Sequence, residues 1–182
     1  MMPRLAMVAI ALLLSTPSFA ADYVQAQGSS LNFAGKYQGA AFNGRFPKFA
    51  TKLSFDPAKL QTAKLDVSIP LASASTGNAS YDGELRGSAF FNVGKFPQAR
   101  YVATKFRALG GDRYAADGTL SLRGVSKPVT LTFTWTPGAQ PVLAGRASVS
   151  RLAFNVGGGQ WADTKLLPDT ITISTRVVLR PL

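Results

Sequence analysis

The sequence contains no histidine and no cysteine in its 182 residues. It therefore lacks the imidazole general base, the thiolate nucleophile and the ordinary ligands of a zinc or copper site. Carboxylates are also few, because Glu84 is the only glutamate among 9 acidic residues. No G-x-S-x-G elbow, S-x-x-K pair or Walker-type glycine loop is present. These absences argue against an enzyme.

The chain opens MMPRLAMVAIALLLSTPSFAAD, which has the order of a secretory signal. A cation precedes an apolar run from Leu5 to Leu14, and small residues precede a cut after Ala20. The run is shorter than the roughly 20 residues of a membrane span. We predict a signal peptide over residues 1–20, export to the periplasm, and one mature domain over residues 21–182. Without disulfides, packing and sheet hydrogen bonds must stabilise it.

Positive charge dominates the predicted mature chain. Of 20 Lys and Arg only Arg4 precedes the cut, so 19 basic groups face 9 acidic ones, a net charge of +10. No two Lys or Arg are adjacent, and no basic helix or C-x-x-C finger is present, so nucleic acid is not an expected partner. Dispersed cations suit a solvated surface, an anionic lipid surface or a ligand's phosphate better.

Segments with a period of two follow one another between turn signals, as in an all-β sandwich or barrel. In KPVTLTFTW, Leu131 and Phe133 share one face and the intervening threonines share the other. Other positions predicted to point inward are Phe33, Leu53, Phe55, Leu65, Val67, Ile69, Leu120, Ile171 and Ile173. Gly35 and Gly44 allow the sharp bends that closure of a barrel needs.

Two segments depart from alternation. ASASTGNASYDGELRGSAFF predicts a short helix that Asn78 or Ser80 caps, with Tyr81 and Leu85 one turn apart. NVGGGQWADTKLLPD places three glycines before Trp161 and predicts a loop with close backbone approach. The many aromatic residues either fill an ordinary β-core or line an apolar slot in a barrel of about eight strands. Periodicity alone leaves both roles open.

The order of the motifs is more specific than any one of them. The chain runs SSLNFAGKYQGAAFNGRF, FDPAKL, LDVSIPLAS, ELRGSAFFNVGKFPQARY, DGTLSLRGVSKPVTLTF, SRLAFNVGGGQWAD and DTITI. In this order the motifs resemble the YceI-like family along essentially the whole mature chain. The most specific pieces are FFNVGKFP and GTLSLRGVSKPV. Two departures are Tyr37, where many relatives carry histidine, and the variant NVGGGQWAD.

The resemblance implies a lipocalin-like antiparallel β-barrel of about eight strands with a short helical insert near its mouth. It also implies non-catalytic binding, sequestration or transport of a polyisoprenoid, an isoprenoid quinone or a fatty lipid in the barrel channel. No cofactor other than the lipid is expected. The tail would lie inside, and the polar head would lie near the opening.

Candidate binding residues follow from the strand phases and this resemblance. Those expected in the channel are Phe33, Leu53, Phe55, Val67, Leu120, Leu131 and Phe133, and those at the mouth are Phe90, Phe91, Phe96 and Trp161. Core filling is the alternative role of each. Arg86, Arg100 and Arg151 are candidates for a charged head group, because arginine offers a planar fork for phosphate. A salt bridge is their alternative role.

Two other functions remain open at this point. An enzyme acting on a lipid or quinone would need converging titratable groups, for which Tyr81, Asp82 and Glu84 are the best cluster. A cationic module for anionic surfaces, including transient contact with a membrane, would lose affinity steeply with added salt. Binding of an apolar chain in a channel would barely change with salt.

Overall fold

Ten strands and one α-helix form the framework of residues 21–182, the part of the chain that this computed structural model describes. The predicted signal peptide, residues 1–20, lies outside the described residues. The strands are β1 (Ala21–Gln25), β2 (Ser30–Tyr37), β3 (Ala40–Arg45), β4 (Ala50–Phe55), β5 (Lys64–Pro70), β6 (Gln98–Gly110), β7 (Arg113–Leu122), β8 (Val125–Thr136), β9 (Val142–Ser150) and β10 (Thr170–Pro181).

Eight of these strands close into an antiparallel barrel. Their order is β1-β4-β5-β6-β7-β8-β9-β10, and β10 returns to β1 with Tyr23 opposite Pro181. Along the same edge, the last residues of β10 pair with β1 and its earlier residues pair with β2, with Ile173 opposite Phe33. β2 and β3 form a hairpin that continues the wall above β1. The eight-stranded antiparallel barrel predicted from the sequence is confirmed.

Alternation along the strands turns one face of the sheet into the barrel interior. In β8, Leu131, Phe133 and Trp135 are buried, whereas Thr130 and Thr132 are exposed. The remaining long strands follow the same period, so their apolar side chains also point into the barrel. The predicted inward phase of β8 is therefore confirmed.

The α-helix α1 (Ala79–Arg86) begins where the sequence predicts it. The Asn78 side-chain oxygen accepts hydrogen bonds from the Ser80 and Tyr81 amides at 3.0 and 3.2 Å, which satisfies two donors at the helix start. Asn78 is thus the cap, and Ser80 lies within the helix. No helix in residues 21–182 is long and apolar enough to cross a membrane.

Two long connections cover one end of the barrel. The first mouth segment, residues 71–97, contains α1 and joins β5 to β6, and the second mouth segment, residues 151–169, joins β9 to β10. They contact each other, because the Gly157 amide donates to the Ala89 carbonyl oxygen at 2.7 Å. A bridge between Arg45 and Ser75 fastens the first mouth segment to the free edge of β3. The first mouth segment therefore closes over the barrel as a covering element.

The opposite end of the barrel is filled by aromatic side chains. This lower aromatic cluster consists of Tyr23, Phe55, Phe106, Tyr114, Phe133 and Trp135. Phe55 lies at its centre, with ring centroids 4.9 Å from Trp135, 5.2 Å from Tyr114 and 5.6 Å from Phe133. Offset and edge-to-face contacts of this kind add to the burial of the rings. The barrel is solid at this end.

Ion pairs on the outer face join neighbouring strands. Arg100 lies 2.6 Å from Asp66, and Arg107 lies 2.8 Å from Asp117. Hydrogen bonds from Arg107 and, to a smaller extent, from Thr130 lower the pKa of Asp117 to about 2.

The stabilisation by Asp117 is expected to disappear in acid. Because its folded-state pKa is depressed, the carboxylate stabilises the fold above its unfolded pKa of about 4, and the gain is lost as pH falls toward 2. We expect D117N to melt below the wild type at pH 6 and to match it near pH 2, by differential scanning fluorimetry. Ser148→Asn, on the outer face of β9, is the control. A gap between D117N and wild type that stays constant across this range would contradict the prediction.

Candidate functional site

An apolar cavity occupies the half of the barrel nearest the mouth segments. Its volume is about 200 Å³, and inward-facing side chains from β2 to β10 form its wall. The surface of the wall consists of apolar atoms. Small-molecule pockets commonly measure about 300–1,000 Å³ and carry a few placed polar groups. This cavity is smaller and more uniformly apolar, which suits a hydrocarbon chain.

The mouth segments supply the roof of the cavity. Leu85, Phe90 and Phe91 come from the first mouth segment, and Val156 and Leu167 from the second. Phe90 and Phe91 are each 8% exposed, so both rings point into the molecule. The chain turns over the opening directly after α1, because the Phe91 amide donates to the Leu85 carbonyl oxygen at 2.9 Å. This turn places both phenylalanines at the roof.

Tyr101 contributes a phenol to the cavity wall. Its hydroxyl lies 2.9 Å from the carbonyl oxygens of Ala116 and Val129, so it is engaged with the barrel backbone. Burial raises the pKa of Tyr101 to about 12, which keeps the phenol neutral. Gly118 makes room for this ring, because a Cβ there would lie 2.6 Å from Tyr101 Cζ. The phenol therefore stabilises the barrel and adds no charge to the cavity.

The predicted site residues fall into three places. Six line the cavity: Phe33, Val67, Phe90, Phe91, Leu120 and Leu131. Three pack below it in the lower half of the barrel: Leu53, Phe55 and Phe133. Phe96 packs against Gly124 at the β7–β8 turn, and the Trp161 ring lies between Phe90 and Tyr37 at centroid distances of 5.4 and 6.0 Å. Contact of any of them with a ligand stays a prediction.

Several lining residues were missing from the predicted set. They include Phe42, Phe46, Phe49, Ile69, Leu122, Val129, Val149, Ile171 and Ile173. The strand phase already marked Ile69 and Ile171 as inward, but phase does not tell how high in the barrel a residue lies. Phe42 shares its face of β3 with the buried Gly44, and Phe46 and Phe49 lie in the connection between β3 and β4, where no strand phase applies.

Arg86 and Arg100 make contacts with the protein itself. Arg86 donates to the carbonyl oxygens of Ala72 and Ala74, at 3.1 and 3.5 Å. Arg100 lies on the outer face of the barrel and forms a bidentate pair with Asp66. Both therefore have structural partners, and contact with a head group stays a prediction for each.

Arg151 is buried, with 3% of its surface exposed. Its guanidinium donates to backbone carbonyl oxygens of Pro168, Val156, Gly157, Trp161 and Leu167, so each N–H group has an acceptor. Burial lowers the pKa of Arg151, but guanidinium remains protonated at neutral pH. The side chain fastens the second mouth segment into one conformation, and no N–H group is left for a head group.

The acidic cluster considered for catalysis lies outside the cavity wall. The Asp82 carboxylate accepts hydrogen bonds from the amide and hydroxyl of Thr76, at 2.6 and 2.7 Å. These bonds lower the pKa of Asp82. Glu84 and Tyr81 are exposed on α1. Asp82 therefore stabilises the turn before α1 in its ionised form.

The Thr51 hydroxyl is buried and has no hydrogen-bond partner among residues 21–182. The residue lines the cavity and is 3% exposed. Thr51→Val replaces the hydroxyl with a methyl of similar size, so we expect the free energy of unfolding to rise by about 1 kcal/mol in urea titrations. Thr175→Val is the control, because the Thr175 hydroxyl donates to the Ser30 carbonyl oxygen at 2.9 Å and its loss should destabilise the fold. Equal destabilisation by both substitutions would contradict the prediction.

A closed antiparallel barrel with an apolar cavity under a helical cover is the architecture of a lipocalin-like binding protein. The YceI-like domain model matches residues 23–179. The chain belongs to the YceI-like family. A UPF0312 protein of Shewanella denitrificans is 40% identical over 124 residues, which are 66% of this chain and 65% of that protein. One from Azotobacter vinelandii is 36% identical over 125 residues, with coverage of 66% and 65%. The matches thus span just under two thirds of these relatives' length.

Solved structures share the fold. Burkholderia cenocepacia BcnA has a TM-score of 0.80 at 31% identity, covering 82% of this chain and 95% of that one. The Campylobacter jejuni YCEI protein has a TM-score of 0.66 at 25% identity, with coverage of 76% and 84%. A polyisoprenoid binding domain from Saccharophagus degradans has a TM-score of 0.69, with coverage of 91% and 100%. At 14% identity, the last comparison shows similarity of fold alone.

Proposed function

We propose that this protein binds the hydrocarbon tail of a polyisoprenoid, isoprenoid quinone or similar lipid in its barrel, without catalysis, and carries or sequesters it in the periplasm. The observation that carries the proposal is the uniformly apolar wall of an internal cavity of about 200 Å³. Each buried methylene contributes about 0.8 kcal/mol, so a long tail binds tightly with little polar recognition. Family membership and the shared fold of a polyisoprenoid binding domain support this proposal.

The polar head of the lipid belongs at the mouth. Apart from the Thr51 hydroxyl, the apolar wall offers no free hydrogen-bonding group to a head group, and burying an unpaired polar group there would cost several kcal/mol. A tail that enters first leaves the head in water between the mouth segments. In this orientation the tail makes the contacts with the cavity, so lipids with different head groups can bind in the same way.

A row of aromatic rings marks the entry route that we propose. The row begins at Tyr81, which is 51% exposed, and its ring centroid lies 6.5 Å from that of Tyr37. The Trp161 ring follows, with centroid distances of 6.0 Å to Tyr37 and 5.4 Å to Phe90. The row therefore leads from solvent to the cavity roof across both mouth segments. Tyr and Trp prefer the boundary between water and hydrocarbon in membranes, which supports transient contact of this end with a bilayer.

Native mass spectrometry of protein purified from a bacterial periplasm tests the proposal directly. We expect a mass above that of the polypeptide, and solvent extraction should release a lipid with a long apolar tail. Delipidated protein should take up added polyprenol or ubiquinone with unchanged affinity between 50 and 500 mM salt, roughly the range over which ionic binding is lost. A polypeptide mass alone, together with no uptake of either lipid, would refute it.

The same experiment separates the alternatives. An enzyme would convert an added lipid or quinone, and D82A/E84A would slow that conversion. A cationic surface module would bind anionic vesicles but leave a neutral polyprenol in solution. The engaged Asp82 and the absence of acidic side chains from the cavity wall formed by the described residues favour binding of an intact lipid.

A further inference from the structure

The outer face of the barrel carries a groove that is separate from the apolar cavity. It has a volume of about 450 Å³ and crosses β7, β8, β9, β10 and β2. Arg113, Arg146 and Arg176 line it, and all three are exposed. This arginine groove was not predicted from the sequence, because the three arginines are about 30 residues apart in the chain.

Strand register brings the three arginines together. One row of paired residues crosses the sheet from β7 to β10. In order, its members are Arg113, Thr134, Ala144 and Arg176. Arg146 lies two residues along β9 from Ala144, on the same face. Neighbouring strands are about 4.8 Å apart and diagonal neighbours about 7–8 Å apart. Arg176 is one strand from Ala144 and Arg113 is two strands from it, about 10 Å, and the three long side chains line the same groove as the small Ala144.

None of the three arginines has a carboxylate partner among residues 21–182. Elsewhere on the outer face, Arg100 and Arg107 each pair with an aspartate through two hydrogen bonds. Arg146 and Arg176 lie on neighbouring strands and repel each other, and Arg113 adds a third positive charge to the same groove, so the groove is electrostatically unsatisfied when empty. An anion would relieve this repulsion.

The rest of the lining completes a donor-rich site. Hydroxyl or amide groups come from Ser30, Asn32, Thr134 and Ser174, whereas the Thr132 hydroxyl donates to the Arg146 carbonyl oxygen. No acidic side chain of the described residues lines the groove. Arginine presents paired N–H groups in the geometry of phosphate oxygens, and such charge-assisted bonds are roughly twice as strong as neutral ones. The chemistry of the lining therefore selects a tetrahedral oxyanion over a neutral ligand.

We propose that the arginine groove binds the phosphate of a phosphate ester. Its volume of about 450 Å³ falls within the range of small-molecule sites, so the esterified group also fits beside the phosphate. That phosphate comes from a soluble ester or from a lipid head group in a membrane surface. The groove is outside the barrel, so this proposal does not depend on what occupies the cavity.

Titration with glycerol 1-phosphate, followed through arginine Nε–H signals in NMR spectra of the mature chain, tests the groove. We expect saturable shifts of three arginine signals and of the Ala144 amide, with affinity at least about tenfold lower in R146Q because one charge-assisted fork is lost. R107Q removes the same charge from another part of the outer face and should change affinity by less than about twofold. R146Q should melt near the wild type, and R107Q, which loses the ion pair with Asp117, should melt somewhat below it.

Vesicles distinguish the two sources of the phosphate. Flotation with phosphatidic acid in phosphatidylcholine, competed by glycerol 1-phosphate and weakened in R146Q, would assign the groove to a lipid head group. Saturable binding of the soluble ester without flotation would assign it to a soluble ligand. Equal losses in R146Q and R107Q, or no saturable shift with the ester, would overturn the proposal. Uptake of polyprenol by R146Q should equal that of wild type, which separates this result from failure of the cavity proposal.

Discussion

Replacement of Ala147 with phenylalanine is expected to lower the affinity for an apolar lipid more than 100-fold. Ala147 lies on β9 opposite Ile173, and both side chains line the cavity. The added ring would occupy space that about four methylenes of a tail would otherwise fill. At about 0.8 kcal/mol per methylene, this loss amounts to about 3 kcal/mol.

The control for this variant lies one residue away. Ser148 is on the same strand but faces solvent, so Ser148→Phe adds an identical ring outside the barrel. Binding of a fluorescent polyprenol analogue should be unchanged in S148F and lost in A147F. Overpacking of a core costs about 1–3 kcal/mol, so a thermal melt must accompany the assay. A folded A147F protein that still binds the analogue as wild type does would place the ligand elsewhere.

Replacement of Arg151 with methionine is expected to lower the free energy of unfolding by about 4 kcal/mol, because buried carbonyl groups lose their donors. Five carbonyl oxygens receive its hydrogen bonds, and the residue is 3% exposed. For a domain of this size, we expect the melting temperature to fall by about 10 °C.

Two further variants separate the hydrogen bonds from the charge. Arg176→Met removes an exposed guanidinium and should change stability by less than about 0.5 kcal/mol. Arg151→Lys keeps the charge but has three N–H groups for five acceptors, so its melting temperature should lie between those of wild type and R151M. If R151M and R176M melt together, the second mouth segment does not depend on the buried guanidinium.

The sequence predicted the barrel well because alternation is a local signal. Val67, Leu131 and Ile173 share a phase with their strand neighbours, and burial of that phase specifies the inner face. The cap of α1 was equally predictable, since Asn78 binds amides two and three residues away. Such contacts depend on nearby residues alone.

Height within the barrel was harder to predict. Phe33 and Phe55 have the same inward phase, but Phe33 lines the cavity and Phe55 fills the opposite end. That difference is set by strand stagger, which depends on pairings such as Ala21 with Phe55 that are distant in the chain. The role of Arg151 was hidden for a similar reason, because its acceptors lie in a loop without periodicity.

The lower aromatic cluster has a consequence for chain-length selectivity. Because Phe55 and its neighbours fill that end, a tail can advance only as far as Leu65, Leu131 and Leu143 above them. Affinity should therefore rise with each added carbon until the tip meets this floor, and extra carbons should then remain outside and contribute little. A homologous series of n-alkanols measured by calorimetry would show a plateau, and Phe55→Ala would move it to longer chains.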